Sequence, residues 1–167
     1  MKTGLPPAVL VHDLVIHPRD RELVVGTHGR SIYVVDVAPL EELTPNVLAS
    51  DIHLFDIKPA IAFAPKQPNA DTGSVKSFVG PNPPYGASIC YWLQRPVTEP
   101  VTVTIHDRQG KALGTLTGSQ QAGLHQVVWN LRGVDRKDQP VPPGEYVTLL
   151  QIGDRTLTKT IRVEATE

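Results

Sequence analysis

The sequence predicts an almost all-β chain, with a small antiparallel sandwich in its second half and a three-stranded meander at its start. Three observations carry this. The 16 prolines and 13 glycines fall between short apolar runs, the punctuation of strands and turns. From Ala87 onward roughly six or seven such runs follow one another with frequent turn signals, the pattern of a small antiparallel sandwich. No helical period appears in that half.

The first segment reads as three strands. Val9 to His17 is rich in Val, Leu and Ile, and Pro18 to Arg21 makes a turn. Glu22 to Thr27 follows, then a turn at His28-Gly29-Arg30, where glycine takes positive φ at little cost. Ser31 to Asp36 alternates, with Ile32 and Val34 on one face and Tyr33 and Val35 on the other. Both faces of this meander are apolar, as in a sheet held between neighbours.

Pro39-Leu40-Glu41-Glu42-Leu43 predicts one short helix, since proline suits the first turn and the acidic pair complements the positive N-terminus. Pro45 either ends it or opens a second short turn through Val47 and Leu48. Asp51 to Ile57 alternates as a strand does, and Ala64 to Ser74 has the composition of a linker. Strands are then expected at Ala87–Leu93, Val101–His106, Ala112–Leu116, Gln126–Leu131, Tyr146–Ile152 and Leu157–Val163. Asp107-Arg108-Gln109-Gly110 and Gly153-Asp154 are turns between them.

The totals narrow the function classes. Net charge is -1, so no basic field draws the chain to nucleic acid or anionic lipid. No run approaches the ~18 apolar residues of a membrane helix. The first residues, Met1 to Pro7, lack the apolar core of a signal peptide. The reading is either a cytoplasmic protein or the tail of an exported chain whose signal lies upstream. Cys90, the single cysteine, sits in an apolar stretch and reads as a buried structural thiol.

Residues 87 to 164 carry a resemblance. The turn Asp107–Gly110, the strand Gly123-Leu124-His125-Gln126-Val127-Val128-Trp129 and the entry Pro142-Pro143-Gly144-Glu145-Tyr146 follow one another in the order seen in a known module. The segment resembles the Ig-like domain of the flagellar hook-capping protein, which recurs at the C-terminus of many secreted bacterial proteins. The resemblance implies an Ig-like or fibronectin-III-like sandwich. Asn130, where that family usually has Asp, and Leu131 to Asp135, in place of its Asp/Gly-rich turn, depart from the pattern. In this fold Trp129 is expected to fill the space between sheets, and Gly110 to close its hairpin. Gly144 is expected to permit the turn before Tyr146, whose ring packs inward while its hydroxyl reaches a backbone partner.

Asp13 to Asp20 and Leu23 to Asp36 resemble the last blade of a sortilin-like β-propeller, in large bacterial proteins often named as BNR-repeat glycosyl hydrolases. That resemblance implies upstream blades of the same parent protein as partners, and an extracellular or periplasmic location for the parent. The organisation expected is 1–38 blade remnant, 39–75 helix, strand and linker, and 76–167 Ig-like sandwich. A remnant with two apolar faces also invites self-association.

Candidate chemistry is sparse. The six histidines are scattered, and no metal or other cofactor is expected. Asp13, Asp20, Glu22 and Asp36 read as turn and strand-end residues, with no carboxylate pair set across a cleft as a glycosidase requires. The Asp-box pattern S-x-D-x-G-x-T-W is absent, and Gly26 to Ser31 lacks the G-x-S-x-G and Gly-Lys-Ser endings of nucleophile and phosphate loops. Arg30, Tyr85 and Trp92 are the candidates for a ligand or rim contact, although Tyr91 and Trp92 face opposite ways on one strand. The leading expectation is a non-catalytic structural or accessory module. A polysaccharide- or protein-binding module is the alternative, and one wall of a glycoside hydrolase whose catalytic residues lie elsewhere is the third reading.

Overall fold

The computed structural model describes residues 10–29, 31–62, 84–133 and 140–165. The chain divides into two compact units, the boundary falling between Val47 and Leu48. The linker expected at 64–74, Arg30 and most of the unusual loop after Gly133 lie outside the described residues.

The first unit is an antiparallel meander of β1 (Val11–His17), β2 (Glu22–Thr27) and β3 (Ile32–Asp36), in the order β1-β2-β3. Its register sets Leu14 opposite Val25, Ile16 opposite Leu23, Val25 opposite Tyr33 and Leu23 opposite Val35. By the pleat these six share one face, and Val15, Val24 and Val34 share the other. Val25 is buried at the centre, while Leu14, Val15, Ile16, Ile32, Val34 and Val35 are exposed.

Arg21 fastens the β1–β2 turn to the segment that follows β3. It holds a left-handed φ of 52°, and its carbonyl accepts from the Val37 amide. Its guanidinium donates to Glu41 at 2.5 Å, Glu42 at 3.0 Å and the Ala38 carbonyl at 2.7 Å. Three acceptors around one planar fork use the geometry that arginine supplies and lysine lacks. The Ala38 carbonyl belongs to α1 (Ala38–Glu41), and a second short helix, α2 (Pro45–Ala49), follows. Pro45 therefore opens a new turn, the second of the two outcomes expected there.

The second unit is an all-β, antiparallel Ig-like sandwich closed by one parallel pair. One sheet has the order β4-β6-β9, from Ile52–Leu54, Ala87–Leu93 and Gly123–Trp129. The other has the order β5-β11-β10-β7-β8, from Ala60–Ala62, Arg155–Ala165, Gly144–Ile152, Val101–His106 and Ala112–Thr117. The β4–β5 segment changes sheets: β4 pairs antiparallel with β6, and β5 pairs parallel with β11. That crossing explains why the strand expected over 51–57 is short. After Phe55, whose amide still reaches the Cys90 carbonyl, the backbone leaves the first ladder for the second.

Alternation decides which side chains enter the core. Ala87, Ile89, Tyr91 and Leu93 face inward from β6, and Val101, Val103 and Ile105 from β7. Tyr146, Leu150, Ile152, Ile161 and Val163 complete the opposing layer. Thr148 occupies the same inward row of β10, fully buried, and its hydroxyl has no hydrogen-bond partner among the described residues.

Candidate functional site

The residues expected to build the fold converge at one end of the sandwich. Trp129 is buried between the sheets at the end of β9, and its ring meets Tyr146 edge-on at 5.3 Å. The indole N–H donates to the Arg132 carbonyl at 3.0 Å. The Tyr146 hydroxyl donates to the Pro142 carbonyl at 2.6 Å. A tyrosine near the start of a strand, tied back to backbone a few residues upstream, is the corner that Ig-like sandwiches use. Between the two lies Leu131, fully buried at a φ of 57°, with its carbonyl accepting from the Val141 amide at 2.7 Å. Asn130 accepts from the Arg132 amide, a local bond available to Asn and Asp alike.

Gly110 takes a φ of 81° and donates its amide to the Asp107 carbonyl. The Asp107 carboxylate accepts the amides of Gln109 and Lys111, both at 2.9 Å, so this aspartate is spent on its turn. Gly144 starts β10 at a φ of 154°. Sequence reasoning missed two glycines with tighter surroundings. A Cβ on Gly86 would stand 2.0 Å from the Trp129 carbonyl oxygen, and one on Gly118 would stand 2.5 Å from the Tyr91 hydroxyl. Only spatial neighbours reveal them, because neither sits in a recognisable turn motif.

Of the ligand candidates, Arg30 lies outside the described residues, and Tyr85 and Trp92 form no exposed platform. Tyr85 is half-buried against the core with its hydroxyl buried. Trp92 points away from Tyr91, onto the outer face of its sheet, and is half-buried with its indole nitrogen enclosed. Every described Phe, Tyr and Trp is at least half-buried, so among the described residues there is no flat exposed aromatic pair for a sugar ring.

Among the described residues the charged side chains give no assembled chemistry either. A cleft of about 380 Å³ at the β6–β7 and β10–β11 turns is lined by Asp51, Arg95, Glu99, Asp154 and Arg155 among others. Arg155 pairs with Asp51 at 3.0 Å. Hydrogen bonds at its own backbone and from the Thr98 hydroxyl, with Arg155 nearby, hold the Glu99 carboxyl below its usual range. A glycosidase acid needs the opposite shift. The rings of His12 and His28 approach to 5.2 Å, a juxtaposition the sequence spacing hid. Among the described residues no group of three or more His, Cys, Asp or Glu is arranged to hold a metal ion. Cys90 is buried and not in a disulfide. Among the described residues no helix is long and apolar enough to cross a membrane.

Residues 87–150 match the family model of the FlgD Ig-like domain. The match runs from the start of β6 into β10, so β4, β5 and β11 complete the sandwich outside it. No curated protein matches the chain.

Proposed function

We propose that this chain is a non-catalytic accessory segment of an exported β-propeller protein, in which an Ig-like sandwich follows the final blade. The observation that carries the reading is the contrast between the units. The sandwich encloses its own core, from Leu54 to Val163. The β1–β3 sheet leaves apolar side chains exposed on both faces, as a blade taken from between its neighbours would. In this reading the partners of β1–β3 are upstream blades of the same parent, and the Ig-like unit spaces or stabilises them outside the cytoplasm.

Hydrogen exchange on the isolated chain tests it. The reading expects slow exchange across β6, β7, β9 and β10, and much faster exchange across β1–β3. Equal protection of β1–β3 in a monomer would overturn it. The hydrolase reading keeps the catalytic residues outside this chain, so glycoside turnover by the isolated chain at enzymatic rates would overturn the proposal. A polysaccharide-binding role draws no support from Trp92 or Tyr85, which are not presented to solvent as a platform.

A further inference from the structure

Between Ala112 and Leu131 the sequence has no Asp, Glu, Lys or Arg, in a chain with 16 basic and 17 acidic residues. This uncharged run forms both strands on one flank of the sandwich: β8 ends the five-stranded sheet and β9 ends the β4-β6-β9 sheet. The opposite flank is charged, with Arg155–Asp51, Lys159–Asp56 and Arg162–Glu164 pairs along β11 and the β4–β5 segment. Natural sheets normally protect an open edge with charges, proline or a bulge. β8 has such a device, a register shift where it meets β7. β9 has none: it pairs with β6 in unbroken register from Gly123 to Trp129, and among the described residues no strand covers its other edge.

We propose that β9 is a self-pairing edge, along which two copies of the chain join antiparallel to extend the β4-β6-β9 sheet through a two-fold axis at Gln126. The pleat puts Leu124, Gln126 and Val128 on the outer face of β9. About that axis Gln126 meets Gln126 of the second copy, and each Leu124, 36% exposed, meets a Val128. A neutral strand with a polar centre flanked by apolar pairs is complementary to itself, whereas a charged peptide finds no opposite charge on it. A two-fold interface requires this self-complementarity. The surface is distinct from the apolar faces of β1–β3, and the inference does not depend on the propeller reading.

Sedimentation of the full chain is the test, with Gln126→Lys and Gln126→Glu variants. The wild type is expected to dimerise reversibly, each variant alone to be monomeric, and an equimolar mixture of the two to recover the dimer. A wild type that stays monomeric up to about 1 mM overturns the proposal. So does a dimer that survives Gln126→Lys but is lost in Leu14→Lys, which would place association on the β1–β3 sheet. As a check independent of charge, Gln126→Cys should cross-link to a covalent dimer in oxidised glutathione while Thr115→Cys, on β8, should not. Equal cross-linking at both positions also overturns it.

Discussion

The α-carbon of Gly86 lies so close to the Trp129 carbonyl that a Cβ would sit 2.0 Å from its oxygen, with the Trp129 carbonyl carbon at 2.7 Å. Gly86 leads into β6 at a φ of 136°, and the next residue, Ala87, pairs with Trp129. The end of the β6–β9 ladder therefore closes only over a residue with no side chain. The obstacle is backbone, which has no rotamer to move. Gly86→Ala is expected to destabilise the sandwich by about 3 kcal/mol or more, combining overpacking with a φ that L-residues avoid. Urea unfolding followed by tryptophan fluorescence measures it.

The two hydrogen bonds at the far end of the core differ in what they fix. Tyr146→Phe removes the bond to the Pro142 carbonyl and should cost about 1 kcal/mol. Trp129→Ala removes the indole that meets Tyr146 and bonds Arg132, and should cost about 3–5 kcal/mol. Equal costs would mean that the tyrosine corner carries more than its hydrogen bond.

Leu131 reverses an ordinary ranking. Alanine usually outranks glycine where φ is negative, but Leu131 has a φ of 57°. Its burial is complete, so Leu131→Ala should cost about 2–4 kcal/mol. Leu131→Gly gives up the Cβ as well but relieves the strain at this φ, so it should be no less stable than Leu131→Ala.

Thr148 offers a gain. Its hydroxyl is buried without a partner among the described residues. Valine has nearly the same shape and no hydroxyl to desolvate, so Thr148→Val should stabilise the sandwich by about 1 kcal/mol. A loss would reveal a hydrogen bond to that hydroxyl.

Tyr91 sets an alkaline limit. It is fully buried, its hydroxyl donates to the Ser119 carbonyl at 2.8 Å, and burial pushes the phenol above its ordinary value. The folded state thus holds this proton more tightly than the unfolded state. Its contribution is intact below about pH 10 and is lost as pH rises through the higher folded value. Tyr91→Phe should flatten that alkaline decline in a pH series of unfolding midpoints.

Much of this fold is legible in the sequence because alternation reports burial directly. Val101, Val103 and Ile105 are all buried as their spacing indicates, and Trp129 and Tyr146 announce a core and a corner. Pairing is less legible, because it depends on residues far apart in the chain. The sequence shows a strand near Ile52 but not that it joins β6, and Ala60–Ala62 is too short and too plain to announce a parallel partner for β11. Alternation alone starts β9 at Gln126, whereas the ladder already pairs Gly123 with Leu93 and Leu124 with Trp92. Gly86 and Gly118 matter only through what stands beside them in space.

The central claim is that residues from β4 to β11 form a self-contained Ig-like module. Limited proteolysis of the purified chain, with mass spectrometry of the surviving core, tests it most directly. The account predicts early cleavage upstream of Asp51 and a resistant core extending to about Ala165, because β4 is tied to β6 and β11 to β10. Digestion of the sandwich at the same rate as β1–β3 would contradict it.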